Sequence, residues 1–376
     1  MPKRLMVIAG EASGDLHGAA VVAELHQIDP QIELFGVGGD RMRQAGVDLL
    51  FHVDELAYIG FVEVVRHYGF FRRVFSRLRE QLQARQPDGV ILIDYPGFNL
   101  RFAKAAKNLG FRVFYYIAPQ VWAWGQGRAH KMADSIDQLA VLFDFEVDFF
   151  SRYGLDTVFV GHPLVDQLRI PPREDFYRRF GLCPDQPLLA LLPGSRNQEI
   201  SHLLPPLLET AARLQARHPE LQVAVALADT VTEERLRMIS GKPIQATLIK
   251  SATYELLQHA TAAIVASGTA TLETACFLVP FILVYRVSPM TFWLGKRLVK
   301  IPHIGLVNVV AQEKIVDEFL QNDVHPDRLT EPTESLLFDE KRRAAMKAEL
   351  NKVKNRLGQP GASRRTADHI WRIFYS

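Results

Sequence analysis

"ILIDYPGFNL" (residues 91–100) begins as an apolar strand and ends as something else. Ile91, Leu92 and Ile93 suit a buried sheet, but Asp94 follows them and Tyr95-Pro96-Gly97 cannot continue a ladder. A carboxylate therefore stands where a strand stops and a turn begins. It is either a helix cap or ion-pair partner, or a base placed for a substrate. Similar runs lie on both sides: "RLMVIAG" (4–10), "IELFGVG" (32–38), "GVILID" (89–94), "RVFYYIA" (112–118), "DQLAVLF" (137–143) and "DTVFVG" (156–161). Between them, segments such as 15–28 and 98–109 space their apolar residues three and four apart. This alternation predicts parallel sheets covered by helices.

From 161 to 187 the chain turns rich in Pro and charge and reads as a linker with one short helix. The pattern restarts with "PLLALLPG" (187–194), "LQVAVALA" (221–228), "QATLIK" (245–250), "TAAIVAS" (261–267) and "VPFILVY" (279–285), and 311–375 reads as helical. The expected architecture is α/β, with two Rossmann-like, doubly wound domains facing a cleft. The first spans 1–165 and the second 166–357, and a final helix, about 358–376, packs back on the first. Ligands of such sheets bind at the carboxyl ends of the strands.

The totals agree. A chain of 376 residues is too long for one ordinary core, and 48% hydrophobic with 23% charged residues is a globular composition. A net charge of +2 does not point to nucleic acid. Cys183 and Cys276 are far apart and lack metal-ligand spacing, which fits a reducing compartment. "MPKRLMVIAGEASGD" reads as a first strand rather than a signal peptide. No run of about 18 apolar residues is present to span a bilayer.

The first strand ends in "AGEASGD" (9–15), where Gly10 and Gly14 admit close backbone approach and Asp15 is placed to cap the next helix. Neither this turn nor "GVGGD" (36–40) has G-x-G-x-x-G spacing, and no P-loop occurs. "LLPGSRNQE" (191–199) offers Ser195, Arg196 and free helix-start amides to a phosphate, or a simple Arg196–Glu199 pair. "ASGTATLE" (266–273) repeats the theme: Ser267, Gly268 and Thr269 open a helix, and Glu273 either accepts from ribose hydroxyls or completes a capping box. Two anion-friendly turns in one domain favour a nucleoside diphosphate.

Together these strand ends resemble the lipid-A-disaccharide synthases, glycosyltransferases of the GT-B fold. The resemblance runs nearly end to end through "GEASGD" (10–15), "IGFVEV" (59–64), "IDYPGFN" (93–99), "APQVWAWGQGR" (118–128), "GHPL" (161–164), "LLPGSR" (191–196), "ASGTATLE" (266–273), "FWLGKRLVK" (292–300) and "VNVVAQEKIVDEFLQ" (307–321). Ala118 stands where the family often has Ser, and Val307 and Asp317 where it often has Pro.

The resemblance implies inverting transfer of diacylglucosamine from UDP-2,3-diacylglucosamine to the primary hydroxyl of lipid X, 2,3-diacylglucosamine 1-phosphate. UDP is released, and neither cofactor nor metal is expected. Asp94 is then the base, and Asn99 supplies the next helix with its own cap. Ser195, Arg196, Ser267, Gly268, Thr269 and Glu273 would hold UDP, with Asn308 and Gln312 on the donor side. Glu11, Ser13, Gly14, Gln120 and Trp122 would meet the acceptor, while His162 reads as structural. The implied setting is cytoplasmic, peripheral on the inner face of the inner membrane, and a homodimer is compatible.

A surface for the lipid is sought in 61–82. Val64, Tyr68, Phe71, Phe75, Leu78 and Leu82 share one helical face, the expected core side, leaving Phe70 and Val74 off it among Arg66, Arg73 and Arg77. "MTFWLGKRLVKIPHI" (290–304) has the same character. The alternatives on the same fold are a soluble-acceptor UDP-sugar transferase and a UDP-N-acetylglucosamine epimerase; outside enzymes, the alternative is a non-catalytic nucleotide-binding module.

Overall fold

A computed structural model describes residues 3–57, 68–168, 176–227, 231–240, 245–288, 292–293 and 302–376. The chain forms two compact units: Met1–Asp166 with Leu357–Ser376, and Gln167–Arg356.

Unit one carries a sheet of β1 (Arg4–Ala9), β2 (Glu33–Gly38), β3 (Val47–His52), β4 (Gly89–Ile93), β5 (Val113–Tyr116), β6 (Gln138–Val141) and β7 (Thr157–Phe159), ordered β3-β2-β1-β4-β5-β6-β7. Unit two repeats the scheme with β8 (Leu188–Leu192), β9 (Gln222–Leu227), β10 (Thr247–Lys250), β11 (Ala262–Ala266), β12 (Phe281–Tyr285) and β13 (Glu318–Leu320), ordered β10-β9-β8-β11-β12-β13. All pairings in both sheets are parallel. Each sheet therefore winds one way from its first strand and then the other. The reversal leaves a gap between β1 and β4, and again between β8 and β11.

The central strands are apolar because helices cover both their faces: β1, β4, β8 and β11 are buried almost throughout. Two edge strands, β3 and β13, depart from the expectation. Most of their residues are half-exposed, so neither shows a buried apolar run. β13 also interrupts the stretch from 311 that reads as wholly helical.

The helix Tyr68–Arg85 corrects the expected core face. Val74, Leu78 and Leu82, four apart, are its buried line, while Phe71 and Phe75 flank it and pack on Phe98 at 6.4 and 5.7 Å. Phe70 is half-buried beside Phe71, at 6.3 Å, rather than standing free. Residues 58–67 and 294–301 lie outside the described residues, so "IGFVEV", Val64, Arg66 and most of "FWLGKRLVK" are not placed.

Asn99 is corrected as well. The helix Pro96–Asn108 begins with Tyr95 at its N-cap and Pro at its first position, so Asn99 lies inside it. Its fully buried amide nitrogen donates to the carbonyls of Asp94 (2.8 Å) and Ile93 (3.2 Å), with Ile8 O at 3.3 Å. One side chain thus ties the ends of β1 and β4 across the reversal.

The last helix, Ala362–Tyr375, packs on the first, Ala12–Ile28, where Arg364 and Glu24 approach to 3.6 Å. Its Phe374 ring lies where a Cβ on Gly89 would sit, 2.0 Å away, and Tyr375 donates to Asp88 at 2.9 Å. The chain enters this helix through contacts with 160–166: His162 N–H donates to Leu357 O (2.8 Å), Gly361 N–H to Asp166 (2.5 Å) and Arg365 to Val160 O (2.8 Å).

Replacing Asn99 by Leu should leave buried carbonyls without a donor. The expected cost is about 1–3 kcal/mol, read as a lower urea midpoint at unchanged m-value.

Candidate functional site

At the β1/β4 reversal the chain is held in unusual backbone. Asp94 and Tyr95 both have positive φ, 48° and 49°. Asp tolerates the left-handed region through its short polar side chain, but Tyr does so only under constraint. The constraint is visible: Asp94 N–H donates to Tyr116 O (2.9 Å), and its carbonyl accepts from the Tyr115 hydroxyl (2.6 Å) and from Asn99. The Tyr95 ring lies over Gly10, where a Cβ would come within 2.0 Å of it. That close approach is why β1 is followed by glycine.

Glu11 is the N-cap of the helix Ala12–Ile28, so its carboxylate and that of Asp94 stand at the ends of neighbouring strands. Burial, and secondly the charge and hydrogen bond of Glu11, push the Asp94 carboxyl from 3.8 up to about 7. Ser13 is exposed on the first turn and Gly14 is buried against Ala9. Asp15 does not cap its own helix. It sits inside it and accepts from the amides of Gly39 (2.6 Å), Met42 (3.0 Å) and Arg41 (3.2 Å), so it caps the helix Asp40–Gln44 instead.

The segment after β5 holds the next surprise. Gln120 is exposed, but Trp122 is only 6% exposed and donates its indole N–H to Glu146 at 2.9 Å. Trp122 faces inward, correcting the expectation that it meets an acceptor. The outward aromatic is Trp124, 42% exposed, with the Arg128 guanidinium 4.3 Å from its ring. Burial lifts the Glu146 carboxyl to about 7, and burial with the charge of nearby His17 lowers His162 to about 4. His162 is thus neutral near pH 7, and its Nδ1 accepts from Leu164 N–H at 3.1 Å.

In unit two, the β8/β11 reversal opens a cavity of about 380 Å³ lined by Gly194, Ser195, Arg196, Glu199, Ser267, Gly268, Thr269 and Glu273 among others. Both glycine-containing turns therefore meet in one place. Arg196 is the N-cap of the helix Asn197–Arg217 and pairs with Glu199 at 2.9 Å, yet its side chain remains 83% exposed. The helix Thr269–Cys276 starts from Gly268, with φ 148°. Glu273 lies five residues in, too deep for a capping box. Burial raises its pKa, and the Tyr254 hydroxyl donates to it at 3.3 Å.

Asn308 and Gln312 are not among the described residues lining that cavity. Asn308 is fully buried with its amide saturated: it donates to Val316 O and Glu318, both at 2.8 Å, and accepts from Ile315 and Val316 N–H. Its side chain organises the loop 304–318 and has no capacity left for a ligand. Gln312 is exposed at the helix end, with φ 62°. Asp317, where the family often has Pro, pairs with Lys314 (2.8 Å) and Arg342 (3.1 Å).

On the helix Tyr68–Arg85, Arg72, Arg73, Arg77 and Arg79 are exposed; Arg73 lies 6.0 Å from the Phe70 ring and Arg77 pairs with Glu80 at 3.4 Å. Among the described residues no group of three or more His, Cys, Asp or Glu is arranged to hold a metal, and no helix is long and apolar enough to cross a membrane.

The profile described as "Lipid-A-disaccharide synthetase" matches residues 5–370. This chain belongs to that family. Among lipid-A-disaccharide synthases it is 42% identical to that of Geobacter sulfurreducens over 366 residues, covering 97% of this chain and 95% of the relative. It is 38% identical to that of Coxiella burnetii (strain CbuG_Q212) over 375 residues, covering 100% and 99%. The fold is GT-B. Similar solved structures include UDP-GlcNAc 2-epimerase from Neisseria meningitidis bound to UDP-GlcNAc (TM-score 0.66, 10% identity, 98% of this chain and 100% of that one). A ugt transferase from Siraitia grosvenorii in complex with UDP is another (0.64, 11%, 99% and 100%). Glu146 and Trp124 carry no motif that marks them in the sequence of this chain; only the paired tryptophans of "WAW" hint that one faces in and one out.

The folded chain holds the Asp94 proton up to about pH 7, whereas the unfolded chain releases it near 3.8. Stability contributed at this position therefore falls as pH rises from about 4 to about 7. Asp94→Asn removes the penalty, so the variant should be more stable than the parent by about 1–3 kcal/mol at pH 8, converging at pH 4, in denaturant titrations.

Proposed function

We propose that this family member moves diacylglucosamine from UDP-2,3-diacylglucosamine to the primary hydroxyl of 2,3-diacylglucosamine 1-phosphate. The observation that carries the mechanism is Asp94: a carboxyl at the β1/β4 reversal whose pKa burial and Glu11 push to about 7. The acceptor O–H loses its proton to Asp94 while its oxygen bonds to the anomeric carbon of the donor sugar. The bond from that carbon to the diphosphate oxygen breaks, UDP leaves, and the configuration inverts. A base with a pKa near the working pH balances ionised fraction against basicity.

The cavity of unit two supports the donor half. Arg196, Ser195 and the amides opening the helices Asn197–Arg217 and Thr269–Cys276 suit a diphosphate, and Glu273 suits ribose hydroxyls. In this reading the leaving charge is met by that guanidinium and those helix ends, with no metal or cofactor assigned. Glu11, Ser13 and Gly14 border the acceptor beside Asp94. The exposed arginines of Tyr68–Arg85 suit the anionic inner face of a membrane, where both acylated substrates reside.

Mixing the two lipid substrates with the purified chain should yield UDP and a phosphorylated disaccharide. Asp94→Asn should lower kcat by about 10²-fold or more while UDP binding stays within about twofold. The parent's kcat/KM should rise through about pH 7 to a plateau as Asp94 ionises. Arg196→Ala should weaken UDP binding about tenfold by calorimetry, less so in high salt.

A further inference from the structure

Glu146 is wholly buried, and the transfer just described gives it no task. One oxygen accepts from the N–H of Phe143, the N-cap of the helix Asp144–Ser151, at 3.1 Å. The other accepts from the indole of Trp122, 24 residues earlier in the chain, at 2.9 Å. Among the described residues no cation pairs with it. A buried carboxyl without a cation is costly, and a helix start alone is served as well by Ser or Asp at its cap. What the glutamate adds is direction: a fixed hydrogen bond that lets the Trp122 ring lie in one orientation. Phe145 completes the seat, edge-on to that ring at 5.2 Å.

Trp122 in turn fixes what surrounds it. Val121, Trp122 and Ala123 are buried, and the next residue, Trp124, emerges with Arg128 stacked on it. The segment leaves β5 through Ile117, whose φ is 69°, one residue after the Tyr116 carbonyl that accepts from Asp94 N–H. The strand that launches this segment is therefore the one hydrogen-bonded to Asp94.

We propose that Glu146 is a positioning residue for the acceptor: by holding Trp122 it presents Trp124 and Arg128 to a phosphorylated acyl-sugar. The chemistry fits. A guanidinium recognises a phosphate, and an indole face packs on sugar C–H groups or an acyl chain. The inference rests on the acyl-sugar transfer reading and adds to it the residues that select the acceptor.

The test is steady-state kinetics with each substrate varied in turn. Glu146→Gln and Trp122→Phe should each raise the acceptor KM about fivefold or more, with kcat at saturating acceptor and the donor KM within about twofold. The double variant should be no worse than about twice the more severe single one, because both act through one contact. Trp124→Ala and Arg128→Ala, changes of exposed side chains, should raise the acceptor KM alone. The inference is overturned if Glu146→Gln leaves the acceptor KM unmoved, or raises the donor KM equally. It is overturned too if Trp124→Ala and Arg128→Ala leave the acceptor KM unchanged, and this arm decides should the buried variants not fold. A folded parent chain that makes no disaccharide refutes the transfer reading itself, which no variant result can mimic.

Discussion

Parallel sheets of this kind bury their strands on both faces, so polar chemistry is driven to the strand ends, and the reversal of winding opens a gap between two of those ends. In unit one the gap is closed by a single amide. Asn99 reaches from a helix interior to the last carbonyls of β4 and toward Ile8 of β1. Beside that tie stand the left-handed pair Asp94-Tyr95, the tyrosine ring over Gly10, and the approach of Glu11 to Asp94. The backbone around the Asp94 carboxyl is anchored through its N–H and its carbonyl alike.

Unit two answers the same topological problem differently. Its gap holds no buried acid at the strand end but two glycine turns and two helix starts, a surface of N–H groups and one guanidinium. The same winding thus gives a buried carboxyl in one unit and a cavity of glycine turns and helix starts in the other, and the difference lies in a handful of turn residues. The acids that remain are raised by burial: Asp94, Glu146 and Glu273 all hold their protons longer than free carboxyls do. Such positions cost stability, and their presence at organised sites fits a functional rather than a packing demand.

What could be read from the chain follows this division. Central strands announce themselves because both faces are apolar, and so do the turns after them. Two of the four edge strands do not: β3 and β13 are half-exposed, and their pattern is that of a loop, whereas β7 and β10 keep a readable run. Nor could partners far along the chain be seen. Asp15 looks like a local cap and serves a helix more than 20 residues on, where Gly39 N–H is its donor. Asn99 looks like a cap and is a cross-strand tie, Asn308 looks like a ligand contact and is a loop organiser. Trp122 and Trp124 look alike in the sequence, and the partner of the buried one, Glu146, lies 24 residues further on. In each case the residue type was informative and its partner was not.

The final helix carries a consequence for how the protein is made. Unit one includes Leu357–Ser376, and Phe374 and Tyr375 fill space beside Gly89 and Asp88. Between Asp166 and Leu357 the ribosome must synthesise all of unit two, which at ordinary elongation rates takes roughly 10–40 s. For that interval the first-made sheet waits with one flank uncovered, and the later-made unit has its whole sequence before the first does. The amino-terminal unit is thus the last to be finished, because the helix that covers its flank is the last part of the chain to be made.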